Sequence, residues 1–131
     1  MAEISKEMKI VLIINAIIAF IYGFFYLIIP EIYRDLIDAT YYDPGMWWTF
    51  GATCFLLGIF CLLVFMRKEW EKGKTFFEFA LLWVIAELIL NIVSIIVLPG
   101  SANAKANTAF NIVLLIVIAV YSAYFYYRES E

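Results

Sequence analysis

The chain has no histidine, only two cysteines and three prolines, and few charges: Lys, Arg, Asp and Glu together make up 16% of its 131 residues. Without histidine, the commonest zinc ligand, the usual haem ligand and the usual general base are missing at once. Cys54 and Cys61 lie seven residues apart in one apolar segment. On a helix that is a rise of about 10 Å, too far for a disulfide. There is no CxxC pair, so thiol-redox chemistry is not expected, and the two cysteines read as small packing residues. The basic residues are scattered through short polar segments, which gives nucleic acid no concentrated face to bind. The sequence contains no phosphate-binding glycine loop, nucleophile elbow, metal-ligand cluster or pair of catalytic carboxylates. Glu78 and Glu87 are nine apart and differ in depth, which makes them a poor acid–base couple. The chain is expected to have no catalytic residue, no metal and no cofactor, and not to be an enzyme.

What the chain has is apolar surface. Hydrophobic residues make up 66% of it and aromatic residues 19%. Soluble domains are roughly half apolar and a quarter charged, so the solvent here must be largely lipid. Four apolar runs are long enough to cross a bilayer: about residues 10–29, 46–66, 76–98 and 109–127. The first is too long for a signal-peptide core and lacks a small-residue cleavage site. The reading is all-α: a four-helix transmembrane bundle forming one integral membrane domain over residues 1–131.

The segments between the spans complete this plan. Residues 1–9 form a short polar lead. Pro30 ends the first span, and residues 31–38 read as a short interfacial helix. Its apolar face would carry Ile32, Tyr33, Leu36 and Ile37, and Arg34 would pair with Asp38. Asp43, Pro44 and Gly45 suggest a turn. Trp47 and Trp48 suit the headgroup level, as do Tyr121, Tyr124, Tyr126 and Tyr127. Residues 67–75 form a charged loop in which Gly73 permits the reversal, and residues 101–108 form a second, small and polar loop. In the second span Gly51, Cys54, Gly58 and Cys61 make a stripe of small residues, expected to be the closest helix-packing seam.

Orientation follows from Lys and Arg. Lys6, Lys9, Arg67, Lys68, Lys72, Lys74 and Arg128 fall at one end, and Arg34 and Lys105 at the other. The excess of positive charge marks the cytoplasmic side. Both termini are therefore expected in the cytoplasm, in a multi-pass protein of the cell membrane.

The segment 76–98 draws the functional question, and the other spans are expected to pack around it. Glu87 stands at its midpoint, with Trp83, Asn91 and Ser94 on the same helical stripe. Counting about 1.5 Å per residue from the cytoplasmic ends puts Tyr22, Thr53 and Glu87 at similar depths, roughly 16–20 Å. No Lys or Arg lies at that depth. A charge at the bilayer centre costs roughly 2.5–3.5 kcal/mol. Glu87 is therefore expected to be neutral and to donate a hydrogen bond to Tyr22, Thr53 or Asn91. Three roles remain open. Glu87 is interhelical glue, or lines a pocket for a lipid-like small molecule, or is a proton-coupled transport site. The candidate ligand or proton site is Glu87, Asn91, Tyr22, Thr53 and Trp83.

The first half carries a resemblance. Residues 20–33, FIYGFFYLIIPEIY, precede the glycine-containing 50–63, FGATCFLLGIFCLL. This resembles small four-helix membrane proteins of the DoxX-like type, mainly over residues 10–66. The resemblance implies a short bundle with cytoplasmic termini, often an accessory subunit, and it implies no catalytic residue. Small multidrug exporters also have four spans and an intramembrane Glu, but theirs lies in the first helix, where this chain has only Asn15. The expected function is a non-enzymatic membrane protein, either an accessory subunit or a binder of a hydrophobic small molecule around Glu87. The alternative is a small proton-coupled transporter, as an oligomer. The expected partners are the bilayer, a lipid-like ligand, and a membrane protein or a second copy; nucleic acid is not among them.

Overall fold

Residues 3–131 are described by the structure, a computed structural model. Residues 1 and 2 of the polar lead lie outside the described residues. Four helices are long and apolar enough to cross a membrane, and no strand occurs among the described residues. α1 is Lys6–Gly23 and continues as a π-helical turn over Phe24–Ile28. α2 is the short Pro30–Ile37, with Pro30 in its first turn. α3 is Pro44–Arg67, α4 is Trp70–Val97 and α5 is Ala102–Ser130.

Each long helix extends beyond its apolar run, because caps set helix ends and lipid sets only the apolar part. Ser5 caps α1 by accepting from the Met8 amide, so residues 6–9 of the polar lead are helical. Asp43 accepts from the Gly45 and Met46 amides, so Asp43–Pro44–Gly45 starts α3 and is not a free turn. Ser101 caps α5 through the Ala104 amide, and the expected loop 101–108 becomes its first two turns. That stretch holds Ala102, Ala104 and Ala106, the strongest helix formers.

The charged connection 67–75 is likewise mostly helix. The chain reverses at Lys68, which takes a left-handed conformation (φ 67°). Gly73 lies inside α4 and permits close packing, not the reversal: a Cβ there would stand 2.5 Å from Val64 Cγ1.

α1 packs mainly on α3, and α4 mainly on α5. Gly51, Cys54, Gly58 and Cys61 are all buried. A Cβ at Gly51 would meet the Leu27 backbone nitrogen at 2.8 Å, and one at Gly58 the Phe20 ring at 2.8 Å. Small residues thus let the two backbones approach where lipid offers no hydrophobic drive.

The main buried cluster lies at the end of the bundle where α1 begins and α5 finishes. There Ile4, Met8, Leu12, Val64, Trp70 and Phe77 form a buried cluster. The Ile4 amide donates to the Lys68 carbonyl at 2.7 Å, and the Ser5 amide to Glu129 Oε2 at 2.7 Å. Trp70 Nε1 donates to Ser130 Oγ at 3.2 Å. Residues 4 and 5, residues 129 and 130 and the α3–α4 connection therefore share one end of the bundle.

The bundle is not organised around 76–98. The most apolar 18-residue stretch of α4 has none of its residues buried, against 33% in α3. α4 is an outer wall that leaves Phe79, Leu82, Ile89, Leu90 and Ile96 exposed. At the opposite end, α2 turns only Tyr33 inward and leaves Ile32 and Leu36 exposed. The Tyr33 hydroxyl donates to Asn107 Oδ1 at 3.2 Å, fastening α2 to α5, and burial pushes that hydroxyl above the usual tyrosine range. Arg34 pairs with its neighbour Asp35 at 2.9 Å, not with Asp38, which instead caps α2 in a left-handed conformation.

Candidate functional site

Above the packed terminal end the four long helices do not close on one another. They surround a cavity of about 350 Å³. Asn15, Cys61, Phe77 and Ser122 border its terminal side, and Tyr26, Met46, Trp47, Asn91 and Asn111 its far side. Met8 and Leu12 (both 0% exposed) and Val64 (1%) fill the bundle between the cavity and the terminal end. The cavity is therefore a bowl with a solid floor. Its walls are chiefly apolar, with Ile18, Leu57, Leu81, Val84 and Leu115 among them.

Tyr22, Trp83, Glu87 and Asn91 all border this cavity. Thr53 does not; its hydroxyl donates to the Thr49 carbonyl of its own helix at 2.9 Å. The buried stripe of α3 runs through Gly51, Cys54, Gly58 and Cys61, and Thr53 lies one residue, about 100°, away from Cys54. Counting residues along the axis fixes depth but not facing.

The hydrogen bonds expected at Glu87 are not formed. Tyr22 donates to Asn111 Oδ1 at 2.6 Å. Asn91 Nδ2 turns back to the Glu87 backbone carbonyl at 2.8 Å. Among the described residues no side chain bonds to the Glu87 carboxyl, and no Lys or Arg borders the cavity. Glu87 is partly buried, so its polar end has the cavity for company.

The polar side-chain contacts beside the cavity lie between α1 and α5. Asn15 Nδ2 donates to Ser122 Oγ at 3.2 Å, and the Tyr121 hydroxyl donates to Asn15 Oδ1. A sequence signal for this seam exists. Asn107, Asn111 and Ser122 are spaced by four and eleven residues, close to one and three full turns. They fall on one stripe of α5, with Ser122 and Asn111 opposite Asn15 and Tyr22 of α1 and Asn107 opposite Tyr33 of α2.

A second group is aromatic, and it joins Trp83 to rings of the first two spans. Tyr26 packs on Trp47 at 4.7 Å and on Phe50 at 4.6 Å between ring centres, and Phe50 stacks on Trp83 at 5.8 Å. Trp47 thus turns into the bundle, while Trp48 is exposed as the headgroup reading expects. The tyrosine-rich end divides in the same way. Tyr124 and Tyr127 are exposed, whereas Tyr121 bonds Asn15 and Tyr126 packs on Trp70 and Phe77. Tyr26 sits in the π-helical turn, whose altered register helps set the facing of its side chains. Nothing in the sequence announces that turn.

Among the described residues no three His, Cys, Asp or Glu side chains gather as a metal site. Comparison of the chain with protein-family models, with curated proteins and with solved structures found no match.

Proposed function

We propose that this is a non-enzymatic integral membrane protein that binds a lipid-like or other hydrophobic small molecule in the cavity around Glu87. The observation that carries the reading is the bowl itself: about 350 Å³, chiefly apolar, with one carboxyl that no side chain engages. Ligand pockets are typically about 300–1,000 Å³, mostly apolar with a few polar groups. This one has room for a one- or two-ring molecule or a short length of acyl chain, not a whole phospholipid. A proton-coupled transporter would need water to reach Glu87 from the terminal end as well. The packed layer of Met8, Leu12 and Val64 closes that side here, so a transporter would need a second conformation that opens it, whereas binding needs none. The cytoplasmic placement of the termini, in the cell membrane, and a place among DoxX-like bundles belong to the same proposal.

Native mass spectrometry after extraction in a mild maltoside detergent tests it. The expected result is a retained small molecule that is lost from an Ala80→Phe variant, since Ala80 borders the cavity. Retention of the same mass by a folded Ala80→Phe protein would place the molecule elsewhere and sink the reading.

A further inference from the structure

The walls of the cavity say more about charge than about shape. Tyr22, Tyr26, Trp47, Phe50, Phe77 and Trp83 present six aromatic rings to one space. Glu87 is the one ionisable carboxylate among the bordering residues, and no Lys or Arg accompanies it. The protein's own cations stack elsewhere. Arg34 lies over Tyr42, Arg67 over Phe76, Lys74 over Tyr126, and Arg128 over Tyr124 and Phe125. None of those rings borders the cavity.

Aromatic faces are electron-rich and attract cations, most strongly where water is excluded, and quaternary ammonium groups are recognised by such cages. A buried charge also needs an opposite charge close by. Both requirements meet here. Trp83 lies one turn before Glu87 on the same helix face, and through Phe50 and Tyr26 it joins the ring cluster. Resting on the ligand-binding reading above, we propose that the cavity selects a lipophilic monocation, an aryl- or alkylammonium, over a neutral lipid. On binding, the Glu87 carboxyl releases its proton to water and the cation takes the place of the counter-charge that no residue of the chain provides, while the rings cover its alkyl groups. The headgroup of a bilayer lipid is the poorer candidate. Glu87 is ten residues from Val97, so such a headgroup would have to sink about 15 Å along α4.

The test compares benzyltrimethylammonium with its uncharged carbon isostere, neopentylbenzene. Both are titrated against the full chain in maltoside free of amines, with tryptophan fluorescence and thermal unfolding as readouts. The expected result is binding of the cation about tenfold tighter than the isostere. That preference is expected to vanish in Glu87→Gln and to shrink in Trp83→Leu. Equal binding of the two ligands, or a preference indifferent to Glu87→Gln, overturns the charge selection and leaves the ligand cavity standing. Binding of neither overturns the selection and counts against the cavity reading too. The wild-type pair decides the matter even where a variant fails to fold.

Discussion

Tyr22 donates its hydroxyl to Asn111 Oδ1 at 2.6 Å, bridging α1 and α5 beside the cavity. Interhelical polar bonds in membranes contribute roughly 0.6–2 kcal/mol. Tyr22→Phe is expected to lower unfolding stability in detergent by about that amount, and Asn111→Leu similarly. Because the two changes remove one bond, the double variant should lose much less than the two single losses combined. Fully additive losses would mean that the bond contributes nothing. Thr53→Val is the control at the same depth: Thr53 bonds its own helix outside the cavity, so stability should stay nearly unchanged.

The close approach of α1 and α3 makes a second prediction. An added Cβ at Gly51 meets the Leu27 backbone at 2.8 Å, and a backbone atom cannot swing aside. Gly51→Ala should therefore destabilise by about 1–3 kcal/mol, the usual range for overpacking. At Gly45 the new methyl meets only Asp43 Oδ1 at 3.5 Å, an ordinary contact. Gly45→Ala should change the melting temperature little. Similar melting of the two variants would contradict the close seam.

Gly73 and Val64 form a compensating pair at the terminal end. Gly73→Ala places a methyl 2.5 Å from Val64 Cγ1, while Val64→Ala alone leaves a void. Each single change is expected to destabilise by about 1–3 kcal/mol. The double variant should be more stable than the summed losses, because the smaller side chain makes room for the new methyl. Strict additivity in thermal unfolding would show that the two side chains do not share this space.

The proposed orientation is open to labelling. Cys54 and Cys61 are buried, so Cys54→Ala/Cys61→Ala gives a clean background. In it, Lys105→Cys should react with an impermeant maleimide added outside intact cells. Glu131→Cys should react only after permeabilisation. The reverse pattern would put the termini outside and set the charge distribution against the positive-inside rule.

Part of this protein was legible in one dimension. A bilayer demands roughly 20 apolar residues per crossing and internally satisfied backbone, so the four runs could only be helices. Helix ends were less legible. Hydropathy marks where lipid begins, whereas Ser5, Asp43 and Ser101 mark where the backbone finds a capping oxygen. The depth of each polar side chain followed from counting at 1.5 Å per residue. That arithmetic put Tyr22, Thr53 and Glu87 at one level but could not give rotation about each helix axis.

Rotation decided the partners. Tyr22 faces Asn111, Thr53 stays on its own helix, and Glu87 is left facing a space with no cation, its carboxyl bonded to no side chain among the described residues. The sequence by itself determined that a carboxylate would lie in the bilayer without a counter-ion, because no basic residue reaches that depth. Only the tertiary structure decided that it borders a cavity and not a packed seam. A void is a joint property of side chains on four helices: the small stripe lets α3 approach α1, the rings line the far side, and Met8, Leu12 and Val64 close the floor. No periodicity within a single helix encodes that.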